Sequence, residues 1–131
     1  MEIKNYSAYN EKEILKLYSS VGWTAYTDEP QTLKQGFQNS LLVLAAYEGE
    51  ELLGIIRVVG DGVTVFIQDL LVFPEKQRNG VGTALVKAVL ERYPVVRQIE
   101  LTTDQTPETA AFYKSLGFSE FEKIGCRGFM K

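Results

Sequence analysis

Residues 73 to 86, FPEKQRNGVGTALV, combine a basic turn with two glycines where a helical pattern begins. Gly80 and Gly82 stand between strand-like residues and that helix, and Lys76 and Arg78 come just before them. The first N–H groups of a helix have no partner within it and lie at the positive end of its dipole, so they bind anions. The spacing therefore predicts a phosphate-binding turn. The alternative is a tight strand-to-helix turn that holds no ligand.

Two common phosphate motifs do not fit this turn. A P-loop requires lysine and then serine or threonine after its last glycine, whereas Gly82 is followed by Thr83 and Ala84. The dinucleotide fingerprint requires glycine or alanine at the place of Leu85. A nucleotide held here would therefore be bound in another way.

Composition narrows the chemistry further. The 131 residues suit one domain, and a net charge of −3 argues against nucleic acid as a partner. The absence of histidine excludes Ser-His-Asp and Cys-His catalysis, and no metal site is expected. A single cysteine, Cys126, fits a reducing compartment. With no signal region at the start and no apolar run long enough for a membrane, the expectation is a cytoplasmic protein.

The elements that position the turn follow from periodicity. The sequence predicts one domain, residues 1 to 131, with a mixed α/β sheet in the order β-α-α-β-β-β-α-β-α-β. Asn10 and Thr106 suit helix N-caps. An apolar strand is expected over residues 63–73, a helix from Val81, and one or two final strands over residues 118–131.

Three motifs together carry a family resemblance. The pattern Gln77-x-x-Gly80-x-Gly82, with LLVFP before it and FYKSLGF after it, resembles the GNAT superfamily of N-acetyltransferases. The resemblance implies that the loop holds the pyrophosphate of acetyl-CoA through Gln77, Arg78, Asn79, Gly80, Val81, Gly82 and Thr83. It also implies that the strand before the loop pairs with the pantetheine arm through Leu71 and Val72. Thr106 stands where the family often has a cofactor-contacting asparagine, so it is a weaker cofactor contact.

Acetyl transfer to an amine needs the amine neutral. An alkylamine titrates about three pH units above neutrality, so presenting it uncharged costs roughly 4 kcal/mol, and a base acting through water would take the proton. Asp69, the ionisable residue of the apolar strand, is the candidate base. The alternative is a structural carboxylate bonded to backbone or to Arg57. The glutamate that many family members carry on this strand is replaced by Phe66.

The departing thiolate needs a proton donor. The resemblance places Tyr113, the tyrosine of FYKSLGF, near the sulfur as a general acid. The alternative role is packing beside Phe112 and Leu116. The backbone N–H of Leu71 is a candidate to stabilise the oxyanion.

A further set of residues bears on which amine accepts the acetyl group. VGW at 21–23, IQDLLVFPEKQRNGVG and the ending GCRGFM resemble the small serotonin N-acetyltransferases of plants and cyanobacteria. Trp23 and Tyr26 would form an aromatic wall for such an amine, with Asp28 and Glu29 attracting its charge. The alternative is a loop pinned by Trp23 in the core. A protein lysine or N-terminus as acceptor, a non-catalytic acyl-CoA sensor and a purely structural domain remain open, and the resemblance makes a homodimer plausible.

Overall fold

A mixed five-stranded sheet organises the chain. The computed structural model describes all residues from 1 to 131. The strands lie side by side in their sequence order, antiparallel except for the last, which runs parallel to its neighbour. They are β1 (Glu2–Asn5), β2 (Leu42–Glu48), β3 (Glu51–Gly60), β4 (Thr64–Val72) and β5 (Gln98–Leu101). The predicted mixed α/β class is confirmed.

Five helices cover the two faces of the sheet. They are α1 (Glu11–Ser20), α2 (Thr24–Thr27), α3 (Pro30–Gln38), α4 (Val81–Arg92) and α5 (Pro107–Ser115), with 3₁₀ turns at Pro74–Lys76 and Phe121–Ile124. Both predicted caps are confirmed: Asn10 accepts from the N–H of Glu13 and Thr106 from the N–H of Thr109. No helix is both long and apolar enough to cross a membrane.

The structure differs from the predicted order at two places. A short helix, α2, occupies part of the aromatic segment predicted as a loop. The prediction of final strands over residues 118–131 is wrong, because this segment forms only the 3₁₀ turn and extended coil. Gly125, at φ 80°, closes the turn, and the N–H of Cys126 donates to the carbonyl of Phe121 at 2.8 Å. That local bond turns the chain away from β5.

A bulge in β4 exchanges the faces of the sheet just before the glycine loop. The register with β3 shifts between the Arg57–Asp69 and Val58–Ile67 pairs, which leaves Gln68 exposed and without a partner. Before the bulge, Ile67 packs into the core on the α4 face. After it, Leu71 packs into the core on the α1–α3 face. One inserted residue therefore directs Asp69 toward α1.

β4 and β5 pair over only part of their length. The parallel ladder runs from Thr64–Gln98 to Ile67–Leu101 and stops there. No strand pairs with residues 68–72 on the β5 side. The end of β4 that leads into the glycine loop consequently has one free edge.

Burial is uneven along the chain. The buried side chains begin at Ile14 and end at Val89, and none of the residues from 90 to 131 is buried. β5 is half-exposed at every position, and α5 has no buried residue. Residues 14–89 therefore supply all the fully buried side chains, and the last third of the chain packs against them with half-buried ones.

Candidate active site

The glycine loop contains two left-handed residues. Arg78 has φ 65° and is the one non-glycine residue with a positive φ, and Gly80 has φ 82°. No atom lies within 4 Å of the place where a Cβ on Gly80 would stand. Gly80 is therefore required by its backbone conformation and not by crowding, since L-residues are strained in that region. Alternation of this kind turns successive N–H groups toward a common concavity.

Six consecutive backbone N–H groups of this loop, from Arg78 to Thr83, donate no hydrogen bond within the chain. The loop is shaped by its own side chains instead. Gln77 Nε2 donates to the carbonyl of Val72 at 3.1 Å, and Asn79 Nδ2 donates to the carbonyl of Lys76 at 3.4 Å. A row of free donors at a helix start is the arrangement that binds phosphate oxygens.

Glycine is required at position 82 for a different reason, which is close packing. A Cβ there would lie 3.4 Å from Cζ of Phe112 and 3.9 Å from Cδ2 of Leu70. The start of α4 is thus packed closely against both α5 and β4. Its neighbour Val81 is 4% exposed and anchors the helix in the core. The two glycines of the motif therefore have separate physical reasons, conformation at the first and close packing at the second.

Charge around the loop is modest. The ammonium of Lys76 forms an ion pair with Glu51 at 3.1 Å, whereas Arg78 is exposed and has no carboxylate within ion-pair distance. Arg78 is then the cation of the loop that is available to a bound anion.

Tyr113 lies on α5 with its ring half-buried. Its centroid is 4.9 Å from that of Phe112 and 5.7 Å from that of Phe118, both edge to face. Burial, with a smaller contribution from the negative charge of Asp104, raises the pKa of Tyr113 to about 12. The phenol therefore keeps its proton at any physiological pH. Both the packing expected for this tyrosine and a protonated hydroxyl are present.

The side chain of Thr106 forms its hydrogen bonds within its own turn. Its hydroxyl donates to Asp104 Oδ1 at 2.8 Å and accepts from the N–H of Thr109 at 3.3 Å. The hydroxyl fixes the start of α5, and so it positions Tyr113 on that helix.

Asp69 lies at the centre of a buried polar cluster. It is 2% exposed, and Arg57 Nε donates to Oδ2 at 2.7 Å. The hydroxyl of Tyr18 donates to Oδ2 at 2.8 Å, and the hydroxyl of Tyr26 donates to Oδ1 at 3.1 Å. The ion pair with Arg57 that was considered as an alternative is observed. A buried charge satisfied by three donors is stable where an isolated one would not be.

The pKa values of two of these partners, Tyr18 and Arg57, are shifted by the cluster. Burial raises the pKa of the Tyr18 hydroxyl, and the negative charge of Asp69 raises it further. Burial opposes the charge of Arg57, but the adjacent carboxylate outweighs it and raises the pKa of the guanidinium. These shifts keep the Tyr18 hydroxyl neutral and Arg57 charged over the physiological pH range.

Trp23 and Tyr26 lie on the outer side of this cluster. Their ring centroids are 6.0 Å apart, and the Tyr26 ring is 5.2 Å from that of Tyr18. Trp23 is 37% exposed, so it lines the surface and is not sunk in the core. Asp28 and Glu29, which follow in the chain, are exposed. The structure therefore connects an aromatic surface to Asp69 through the hydroxyl of Tyr26.

The residues singled out from the sequence fall into two groups. Leu71 and Val72 end the free edge of β4 and run directly into the 77–83 loop. Tyr113 packs on the α4 face of the sheet, whereas Asp69 belongs to the α1–α3 face. The two candidate catalytic residues are thus on opposite faces, with the gap between β4 and β5 between them.

Tyr18 is a site residue that the sequence did not reveal. Its spacing in α1 predicts an ordinary buried side chain, and it is fully buried. Its contact with Asp69 joins residues 51 apart in the chain. The signal that could have identified Tyr18 is its place on the buried side of an amphipathic helix, because a buried phenol needs a hydrogen-bond partner for its hydroxyl.

Comparisons with known proteins agree with this geometry. A model of the GNAT acetyltransferase domain matches residues 6–129. A GNAT family acetyltransferase from Streptococcus pneumoniae TIGR4 is 36% identical, with a TM-score of 0.89 over 99% of this chain and 96% of the other.

Two more distant structures share the fold. The ribosomal-protein-S18-alanine N-acetyltransferase of Escherichia coli has 17% identity and a TM-score of 0.78, covering 91% of this chain and 77% of its own. The PaiA N-acetyltransferase of Thermoplasma acidophilum, solved with coenzyme A, has 16% identity and a TM-score of 0.73, covering 90% and 89%. With the domain model matching nearly its whole length, the chain belongs to the GNAT family of acetyltransferases.

Proposed function

We propose that this protein transfers an acetyl group from acetyl-CoA to a small primary amine, by direct transfer in a ternary complex. The observation that carries the proposal is the row of six free N–H groups from Arg78 to Thr83, beside the unpaired edge of β4. These residues fit a pyrophosphate followed by an extended arm, because the first needs backbone donors and the second a free strand edge. Bound acetyl-CoA supplies an acyl group on a thiol leaving group.

Tyr113 serves the departing sulfur. The amine nitrogen forms the new C–N bond as the C–S bond breaks, and Tyr113 gives its proton to the thiolate. A charged amine gives up two protons: the first passes to solvent before attack, and the second, lost as the C–N bond forms, returns through water to the phenolate of Tyr113, so one proton leaves for each charged amine acetylated. A protonated phenol at neutral pH is what this role requires. The N–H of Leu71 is proposed for the oxyanion.

Asp69 is proposed to serve the amine through Tyr26. Protonating Asp69 would leave the buried charge of Arg57 without its partner, which is costly. The Tyr26 hydroxyl, fixed at 3.1 Å by Asp69, presents its remaining lone pair to an amine held against Trp23. Water then takes the amine proton. In this proposal Asp69 is a positioning residue, and the prediction that it is itself the base becomes the alternative.

Substitutions at Asp69 and Tyr26 distinguish Asp69 as a positioning residue from Asp69 as the base. Asp69→Asn and Tyr26→Phe should each lower kcat/KM for the amine by about 10- to 100-fold and leave the pH dependence of kcat/KM unchanged. If Asp69 is the base, Asp69→Asn removes the acidic limb of the profile and Tyr26→Phe keeps it. Thermal unfolding of both variants checks that the fold is intact.

The aromatic wall is the support for an arylalkylamine acceptor. Trp23 offers an exposed ring, and Asp28 and Glu29 give the neighbourhood a negative charge that attracts a cation. The resemblance to serotonin N-acetyltransferases suggests the same class. A cytoplasmic location, expected from the single cysteine, remains a prediction.

The first experiment measures thiol release from acetyl-CoA with arylalkylamines, polyamines, amino acids and lysine or N-terminal peptides. Multiple turnovers with the arylalkylamines would support the proposal, whereas selective turnover of peptides would replace it with a protein acetyltransferase. Binding of acetyl-CoA without turnover of any amine would favour the sensor. Cys126→Ser should keep full activity, because direct transfer needs no acyl-cysteine.

A further inference from the structure

Arg57 is the cation of the buried cluster around Asp69. Its residue is 7% exposed, and its Nε donates to Asp69 Oδ2. The two residues are cross-strand partners on β3 and β4, next to the bulge at Gln68. The guanidinium therefore meets Asp69 at the point where β4 exchanges the faces of the sheet.

The C-terminal end of α3 holds the other side of this guanidinium. Nη1 of Arg57 donates to the carbonyl of Gly36 at 3.4 Å and to the hydroxyl of Ser40 at 3.3 Å. The hydroxyl of Ser40 donates to the same carbonyl at 2.7 Å. The last carbonyls of a helix lack helical partners and lie at the negative end of its dipole, so they favour a cation. The end of α3 is thus a binding place for the charge of Arg57.

Two neighbouring residues of α3, Gly36 and Phe37, complete the surroundings of Arg57. Glycine is unfavourable within a helix, but a Cβ at position 36 would lie only 3.4 Å from Nη1 of Arg57. The ring centroid of Phe37 is 5.7 Å from Cζ of the guanidinium. Helix backbone, hydroxyl and aromatic ring together restrict the planar guanidinium to one position.

The contacts of Asp69 show what this position is used for. Arg57 and Tyr18 both donate to Oδ2, whereas the hydroxyl of Tyr26 donates to Oδ1. A carboxylate with one oxygen held by two buried donors keeps its other oxygen directed toward Tyr26. An unbroken series of contacts therefore runs from the end of α3 through Arg57 and Asp69 to the Tyr26 hydroxyl.

We propose that Arg57, held by the end of α3, is a positioning residue for the acceptor amine and acts through Asp69 and Tyr26. The inference rests on the proposed function, in which the Tyr26 hydroxyl receives the amine beside Trp23. It assigns to Arg57 an effect on the use of the amine, with no effect on the binding of coenzyme A.

A double-mutant cycle tests the proposal. Arg57→Lys keeps the charge but loses the planar donors, and it should lower kcat/KM for the amine by about 10- to 100-fold. In a Tyr26→Phe background the same substitution should change kcat/KM by less than about 3-fold, because the group through which Arg57 acts is absent. Isothermal titration should give the native dissociation constant for coenzyme A in both single variants and in the double variant. Effects that multiply in the double variant would overturn the proposal.

Trp23 gives a readout that needs no turnover. It is the only tryptophan in the chain, and its ring centroid is 6.0 Å from that of Tyr26. Release of the Tyr26 hydroxyl should expose Trp23 to acrylamide, so Arg57→Lys and Tyr26→Phe should raise its quenching constant by the same factor. Native quenching in Arg57→Lys would overturn the proposal. A protein that acetylates no amine would contradict the proposed function instead, and the quenching of Trp23 would still decide the role of Arg57.

Should Arg57→Lys fail to fold, Ser40→Ala applies the same test with less disturbance. It removes one acceptor of Nη1 and should lower kcat/KM for the amine by about 5-fold, the equivalent of one hydrogen bond. This loss should vanish in the Tyr26→Phe background. Ser115→Ala is the matched control, because the Ser115 hydroxyl also donates to a carbonyl of its own helix, that of Phe112 at 2.6 Å, but on α5. Equal losses of kcat/KM in Ser40→Ala and Ser115→Ala would contradict the role of the α3 end.

Discussion

The surroundings of Tyr113 raise the pKa of its hydroxyl. Half-burial against Phe112 and Phe118 removes water from the phenol, and Asp104 adds negative charge nearby, so the pKa rises to about 12. A raised pKa keeps the proton in place but makes the phenol a weaker acid. Because an ordinary thiol has a pKa near 8.5, donation from this phenol to a thiolate would be uphill by roughly 5 kcal/mol, which the breaking of the C–S bond would have to supply.

Replacing Tyr113 by phenylalanine should lower kcat by about 100-fold or more, the usual contribution of a general acid. Because the pKa is about 12, the native tyrosine stays protonated from pH 7 to 10. The ratio of native to variant kcat should therefore be constant over that range. Isothermal titration with coenzyme A should give the same dissociation constant for both proteins. A ratio that falls toward one by pH 10 would show that this phenol titrates in the range and is not the acid described.

At the scale of elements, the start of α4 is the decisive structure. Gly80 allows the chain to turn with φ 82°, and Gly82 allows the helix to approach Phe112. Together they expose the six N–H groups that a phosphate would use. The element is local, and for that reason its presence was readable from sequence.

Gly80→Ala should cost about 1–2 kcal/mol of stability, because alanine is strained at positive φ. It should also weaken coenzyme A binding by about 10-fold, since the N–H groups are no longer aligned. Gly62→Ala is the control: Gly62 has φ 89°, is equally free of neighbours within 4 Å, and lies in the turn between β3 and β4.

Urea denaturation should show similar losses of stability for both variants, and titration calorimetry a loss of affinity only for Gly80→Ala. Equal affinities in the two variants would mean that the loop does not hold the ligand.

What the sequence predicted correctly was mostly local. The caps at Asn10 and Thr106 and the strand–loop–helix around Gly80 depend on neighbours in the chain. The Asp69 cluster depends on Tyr18, 51 residues away, and on a bulge at Gln68 that no local pattern marks. The final strand failed for a related reason. Apolar residues over 118–131 suited a strand, but Phe121–Ile124 close into a 3₁₀ turn, so this segment does not pair with the free edge of β5.

For the whole molecule, buried phenols set the response to alkali. Burial raises the pKa values of Tyr6 and Tyr18 well above the ordinary value near 10, and that of Tyr113 to about 12. Below pH 10 these groups are neutral in both folded and unfolded chains. Above it the unfolded chain loses protons that the folded chain retains, so the stability present below pH 10 is lost as the pH rises.

The free energy of unfolding should therefore be nearly constant from pH 7 to 9 and decline beyond about pH 10. Tyr18→Phe should lower stability at pH 7 by about 1–3 kcal/mol, because Asp69 loses a donor. The same variant should decline less steeply in alkali. Urea denaturation at each pH measures both effects, and parallel curves for the two proteins would contradict the assignment to Tyr18.

The end of the buried core at Val89 has a consequence for the order in which the protein is assembled and lost. The first four strands and α4 can fold as a unit while β5 and α5 are still unformed. The helix that carries Tyr113 would then pack against a sheet that is already folded. On warming, we expect these less buried elements to open first. Acetyl transfer should fail at a lower temperature than the one at which the sheet melts, because the last elements to dock are the first to detach.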